Sequence, residues 1–242
     1  MGTVKTGIPG LDAMLYGGIP EGNQVVVAGG PGAGKTLMCF EFLYRNAKAG
    51  NPGIYYSLEE DPARVLVNAK STFKEFNDID QIIASNKMIV DGKEPSDKLL
   101  GTADPSAYEF GKVVAEIEDQ ITKIGATRVV IDSASILSLL INDQIGYRRA
   151  MLQFVTNMRR LNVTALLTME TSNPERSKLE FKPEFFIFDG IISMYQTGEA
   201  DKRIRAMEVI KMRGSKHSMV TTPYDITDAG FKIYSAEDTS LY

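Results

Sequence analysis

The run Gly29-Gly30-Pro31-Gly32-Ala33-Gly34-Lys35-Thr36 sets a lysine and a hydroxyl directly after closely spaced glycines, in the pattern G-x-x-x-x-G-K-[ST]. That spelling suits a triphosphate. Glycines let successive backbone N–H groups turn inward where a Cβ would collide with the ligand. Lys35 supplies a point charge for the β- and γ-phosphates, and the Thr36 hydroxyl can ligate Mg²⁺. The flanks agree: Gln24–Ala28 reads as a buried strand entering the loop, and a helix leaves it, aiming its positive end at the phosphates.

Four further groups could serve the same chemistry. Arg128-Val129-Val130-Ile131 is an apolar strand ending in Asp132, a carboxylate suited to the metal or its waters. Ile54–Leu58 is a strand followed by Glu59-Glu60, which could polarise a water for attack on the γ-phosphate or could be a solvated turn favouring the next helix. Thr168-Met169-Glu170-Thr171 closes another strand and could sense the γ-phosphate or simply begin the loop 170–183. Far downstream, Lys211-Met212-Arg213-Gly214-Ser215-Lys216-His217 contains the only histidine of the chain. Strand alternation puts Lys211 and Arg213 on one face, as a cationic finger or as a basic hairpin tip.

The elements that must position these groups alternate. Helix is expected over 37–49, from an Asp61 cap and Pro62 to about Phe76, from Pro105 to Ile124, and over Tyr147–Leu161. Strands are expected at Met88–Val90 and Thr164–Met169, with 77–107 otherwise in loops apart from the start of the Pro105 helix. Beyond residue 185 consecutive strands follow: Phe185–Tyr195, Arg203–Met212 and Phe231–Tyr234, with a turn at Thr197-Gly198-Glu199. The fold class is therefore α/β: a mostly parallel central sheet with helices on both faces and an antiparallel C-terminal extension, in one domain over 1–242. In such sheets ligands gather at the carboxyl ends of the strands.

Composition narrows the function. With 43% hydrophobic and 24% charged residues, the 242-residue chain can bury a core and remain soluble. No apolar stretch approaches the ~20 residues needed to span a bilayer, and no signal peptide opens the chain. The single cysteine, Cys39, excludes an internal disulfide and a cysteine-rich metal site, and the combination points to the cytoplasm. A net charge of −4 gives no general polyanion-binding surface.

The motifs in their order resemble the KaiC-like branch of the RecA-type P-loop ATPases over nearly the whole chain. The resemblance rests on Thr6-Gly7-Ile8-Pro9-Gly10-Leu11-Asp12, Gly17–Gly22, the phosphate loop, Ser57–Glu60, Asp132-Ser133, Lys211–His217 and Ile226–Gly230. It implies an ATP-binding, Mg²⁺-dependent ATPase with sites between subunits of a homo-oligomer, usually a hexamer. On that likeness Gly32, Ala33, Gly34, Lys35, Thr36 and Leu37 hold the phosphates, and Thr36 the Mg²⁺. Glu59 and Glu60 match tandem catalytic glutamates. Lys211, Met212, Arg213, Ser215 and His217 match a segment that reaches the nucleotide from the neighbour, Thr227 and Asp228 match residues near the nucleoside, and Ser71 matches a nucleotide-contacting serine. Clock-type KaiC carries two such domains in tandem, and its autokinase domain has a Ser/Thr pair where this chain has Phe181–Phe186, so autophosphorylation is not expected. Three readings follow: a regulatory ATPase with a protein client, a DNA-repair or recombination ATPase, and an assembly module with negligible turnover. The acidic charge and the lack of a recognisable DNA-binding loop or zinc motif disfavour the second.

Overall fold

The computed structural model describes residues 2–92, 106–136, 141, 143–171, 176, 183–197 and 204–234, with side chains described from 111 onward in the helix that begins at Ser106. Its centre is a nine-stranded sheet in the order β11-β10-β9-β8-β3-β7-β6-β4-β5. The strands are β3 (Gln24–Gly29), β4 (Gly53–Ser57), β5 (Met88–Gly92), β6 (Arg128–Asp132), β7 (Thr164–Glu170), β8 (Gly190–Thr197), β9 (Ile204–Met212), β10 (Thr222–Thr227) and β11 (Gly230–Ile233). From β8 to β5 every pairing is parallel, and from β8 to β11 every pairing is antiparallel. A small antiparallel pair, β1 (Thr3–Val4) with β2 (Ile19–Pro20), precedes it.

Alternation along the strands explains why both faces are covered. Val25, Val27, Tyr55, Val130 and Leu166 point to one core, with residues of α1 (Pro9–Met14), α2 (Lys35–Lys48), α3 (Pro62–Thr72) and α4 (Ile79–Ala84). Val26, Ala28, Ile54, Tyr56, Val129, Ile131 and Leu167 point to the other, against α5 (Ser106–Ile124) and α6 (Gln144–Arg160). Parallel strands buried on both faces read as unbroken apolar runs, which is how they stand in the sequence. Each fully buried aliphatic contributes about 1.5–3 kcal/mol of transfer free energy.

Most expected elements are present, with local differences. Asp61 caps α3 by accepting from the Ala63 N–H at 2.8 Å, and the helix stops at Thr72 rather than Phe76. Helix α4 replaces loop, because Ile79 and Ile82 dock their apolar side on the first core. Helix α1 and β1, β2 and β10 are additional. In α1, Asp12 accepts from the Thr6 N–H (2.6 Å), the Thr6 hydroxyl (2.8 Å) and the Gly7 N–H (3.2 Å), which gives the Thr6–Asp12 motif a structural reason. The strand expected from Phe185 begins only at Gly190. Pro183–Ile187 is a 3₁₀ turn that buries Phe185, with Phe188 buried just beyond it, and leaves Phe186 68% exposed. The turn at Gly198-Glu199, the expected loops over 93–105 and most of the loop 170–183, including Phe181 and Lys182, lie outside the described residues.

Candidate functional site

The C-terminal ends of β3, β4, β6 and β7 form one rim of the sheet, and the phosphate loop rises from it between β3 and α2. Gly34 caps α2 with φ 90°, a left-handed conformation that favours glycine, and a Cβ there would meet Ile226 Cδ1 at 2.7 Å. Met38 N–H donates to Gly34 O at 2.9 Å, and the Tyr224 hydroxyl donates to the Ala33 carbonyl. Gly32 is exposed at the mouth, and Leu37 packs against the first core. Lys35 Nζ lies across the loop, donating to the carbonyls of Gly29 (2.9 Å) and Gly30 (3.2 Å). The α2 N-terminus adds partial positive charge at the same place.

Behind the loop is a buried hydroxyl–carboxylate cluster. Asp132 is 8% exposed; one oxygen accepts the Tyr55 hydroxyl and the other the Thr168 hydroxyl. Burial, followed by the charge of Asp132, pushes the Tyr55 phenol well above its ordinary range. Thr36 and Asp132 are hard oxygen donors of the kind Mg²⁺ takes alongside phosphates and water. Among the described residues no group of three or more His, Cys, Asp or Glu side chains could hold a metal by itself. The donor set therefore fits a cation that arrives with phosphate oxygens.

The two adjacent glutamates part company. Glu59 faces the loop, where its carboxyl is pushed up by partial burial first, then by the negative charges of Glu170 and Asp132; a Ser133 hydrogen bond and Lys35 pull it down. Glu60 turns to α3, accepting from Asn68 at 3.0 Å with Arg64 at 3.7 Å. The turn between them is fixed by Ser57, whose hydroxyl donates to Glu60 O at 2.5 Å and accepts from Glu60 N–H at 3.3 Å. In this protomer the Glu60 side chain thus lies against α3, and Glu59 is the one of the pair beside the loop. Glu170 stands at the end of β7, its N–H on the Ser135 hydroxyl at 2.8 Å.

The β10–β11 hairpin walls the loop on its other side. Thr222 is level with Gly29 through Met207 and Met194, and β10 continues past the rim to Thr227. Asp228 at the tip pairs with Lys74 at 3.3 Å, and its carbonyl accepts the Glu75 N–H; Ser71 lies one turn earlier, its hydroxyl on Asn68 O at 2.9 Å. Thr227 donates to Gly230 O at 2.7 Å. Buried Glu41 pins the hairpin through the Phe231 N–H at 2.7 Å and is paired with Arg45 at 2.6 Å. Burial pushes the Glu41 carboxyl up, against the Phe231 hydrogen bond and Arg45.

Lys211, Met212, Arg213, Ser215 and His217 are not at this rim. Met212 pairs with Gly190, which pairs with Val25 at the start of β3. Four residues separate that level from Gly29, roughly 13 Å at about 3.3 Å per residue. Met212 is buried over Gly190, so its side chain is core. Lys211 Nζ donates to Phe188 O at 2.6 Å, and burial, then Arg213, holds its pKa below the usual lysine value, with Asp189 opposing and Arg159 adding to the fall. Arg213 donates to Phe186 O at 3.2 Å and lies 3.6 Å from Asp189, which also accepts from Arg159 at 2.7 Å. Both cations thus face the 186–189 turn, as alternation implied. The Ser215 hydroxyl sits on Lys216 O, and His217 Nδ1 lies 3.0 Å from Ser218 O. Tyr55 and Glu41 were invisible as site residues in the sequence; only the face a strand or helix position takes could have picked them out.

A parallel sheet with a G-x-x-x-x-G-K-[ST] loop at one rim and an aspartate ending the strand beyond its neighbour defines a RecA-type P-loop fold. A family model described as "ATPase: KaiC" matches residues 4–238. The UPF0273 protein PH0284 of Pyrococcus horikoshii is 37% identical over 238 residues, covering 96% of this chain and 93% of that one. The circadian clock oscillator protein KaiC of Parathermosynechococcus lividus is 29% identical over 238 residues, covering 95% of this chain but 42% of the relative. The crystal structure of the KaiC-like protein PH0186 from Pyrococcus horikoshii superposes with a TM-score of 0.80 at 30% identity, covering 97% and 99% of the two chains. The chain belongs to the KaiC family of ATPases, within the RecA superfamily. No helix among its described residues is long and apolar enough to cross a membrane.

Proposed function

We propose that the protein binds ATP with Mg²⁺ and hydrolyses it to ADP and phosphate, in sites completed by a neighbouring copy of the chain. Gly32–Leu37 cradle the phosphates. Glu59 takes a proton from a water whose oxygen attacks the γ-phosphorus, while the bond to the β–γ bridging oxygen breaks and ADP leaves. Lys35 steadies the β/γ oxygens, and Mg²⁺ when bound on Thr36, with Asp132 near it, neutralises their charge. Lys211 and Arg213 of the next subunit stabilise charge on the transferring group, and Ser215 and His217 complete the pocket. Thr227 and Asp228 lie toward the nucleoside, and Ser71 contacts the nucleotide. A homo-hexamer acting on a protein client in the cytoplasm is the setting this reading assumes.

One observation carries it. Each protomer has its phosphate loop on one rim and its candidate finger on the opposite rim, so a head-to-tail contact brings one to the other. The test is phosphate release and oligomer mass with and without Mg-ATP, with a DNA titration alongside. Assembly with release supports the reading; nucleotide-loaded oligomers without release favour an assembly module, and salt-sensitive stimulation by DNA favours a recombination ATPase.

A further inference from the structure

The phosphate loop is gripped from outside by the β10–β11 hairpin. Tyr224, 1% exposed in β10, donates its hydroxyl proton to the carbonyl of Ala33. A carbonyl has no proton to give, so the direction of that bond is fixed. The Tyr224 ring stacks on Phe231 of β11, with centroids 5.4 Å apart and planes at 27°. The Phe231 N–H donates in turn to Glu41 of α2 at 2.7 Å, so the tyrosine is tied to the helix that the loop feeds.

Fixing the Ala33 carbonyl fixes more than Ala33. In a planar trans peptide the C=O and the following N–H point in opposite directions. With the Ala33 oxygen turned to Tyr224, the Gly34 N–H is turned away from it, and among the described residues it donates to no protein group. It directly precedes Lys35 and Thr36, whose N–H groups open α2 and have no partner within the helix.

We propose that Tyr224 is a positioning residue for the triphosphate, its hydroxyl orienting the Ala33–Gly34 peptide so that the Gly34 N–H faces the phosphates. This rests on the ATP-binding reading above and adds to it a residue that touches the loop and not the nucleotide. Burial, against the charge of Arg205, pushes the Tyr224 phenol above its ordinary range, so the hydroxyl keeps the proton it donates.

The test is calorimetric binding of Mg-ATP and of inorganic tripolyphosphate with Mg²⁺. Tyr224→Phe keeps the ring and should raise both dissociation constants about fivefold, the scale of one neutral hydrogen bond. Tyr234→Phe, which removes a hydroxyl on Asp225 just beyond the same hairpin, should change either by less than twofold. In glycine-labelled protein saturated with tripolyphosphate, the Gly34 amide resonance should move toward its free position in Tyr224→Phe. Unchanged affinities, a loss confined to ATP, or an unmoved Gly34 resonance would overturn the role. If Tyr224→Phe does not fold, 4-aminophenylalanine and 4-methylphenylalanine at position 224 are compared. The first keeps a donor and should bind tripolyphosphate about fivefold more tightly than the second; equal affinities overturn the role. An unmodified protein that binds neither ligand would overturn the ATP reading and this role with it, whereas binding unmoved by Tyr224→Phe overturns this role alone.

Discussion

The two rims of the sheet are built on different principles. At the C-terminal rim Gly29 is level with Glu170 and Ser57 with Asp132, so one topology delivers the phosphate loop and the carboxylates that end β6 and β7 to one place. Hydroxyls then lock the buried carboxylate: Tyr55 and Thr168 on Asp132. At the opposite rim the cations are held by carbonyls of Phe186 and Phe188 and by the single, 7% exposed Asp189. The first rim has every group a phosphate site needs except a cation from outside. The second has cations and, among the described residues, no glycine loop to receive a phosphate. Each half is incomplete in the way the other supplies.

The largest expected effect breaks the first rim. Lys35→Ala should abolish phosphate release and weaken ATP binding in a filter or calorimetric assay while leaving the fold intact. Arg213→Ala, at the second rim, should lower turnover by roughly 10³-fold, the scale of an arginine finger, with nucleotide binding largely retained. The glutamates separate next: Glu59→Gln should cost roughly 10²–10⁴-fold in kcat, as for a lost general base, and Glu60→Gln less than about tenfold. Equal losses would return Glu60 to the chemistry and make its contact with α3 incidental.

A smaller effect concerns pH. Glu59 works as a base only when ionised, and burial, then Glu170, raises its pKa, so activity should rise through an acid limb above the ordinary carboxylate value. Glu170→Gln removes one negative charge, so the limb of a kcat/KM profile should move to lower pH. At the second rim Asp189→Asn should lower stability by about 1–3 kcal/mol, read as a fall in Tm, because it removes the negative charge and one of the two acceptor oxygens that Arg159 and the Gln24 N–H share. Solvent reaching Arg159 keeps that cost at the low end of buried ion pairs.

The legibility of the two rims differed for the same physical reason. The phosphate loop is local: eight consecutive residues carry its glycines, cation and hydroxyl, and an apolar strand must lead in. Asp132 was readable because a buried parallel strand ends where polarity returns. Glu59 and Glu60 could not be told apart, since the Ser57–Glu60 turn that parts them is a side-chain hydrogen bond. The site of Lys211 and Arg213 depends on how β8 registers against β3 and β9 against β8, both long-range pairings. Tyr55 reads as one aromatic in an apolar run; its partners, the Phe40 ring of α2 and Asp132 of β6, are distant in sequence.

Mixed oligomers of Lys35→Ala and Arg213→Ala subunits test the shared site most directly. Neither variant alone should turn over, but random mixing restores an intact loop facing an intact finger at roughly a quarter of head-to-tail interfaces, and phosphate release should recover accordingly. Mixed assemblies of verified composition that release no more phosphate than the separate variants would contradict the account.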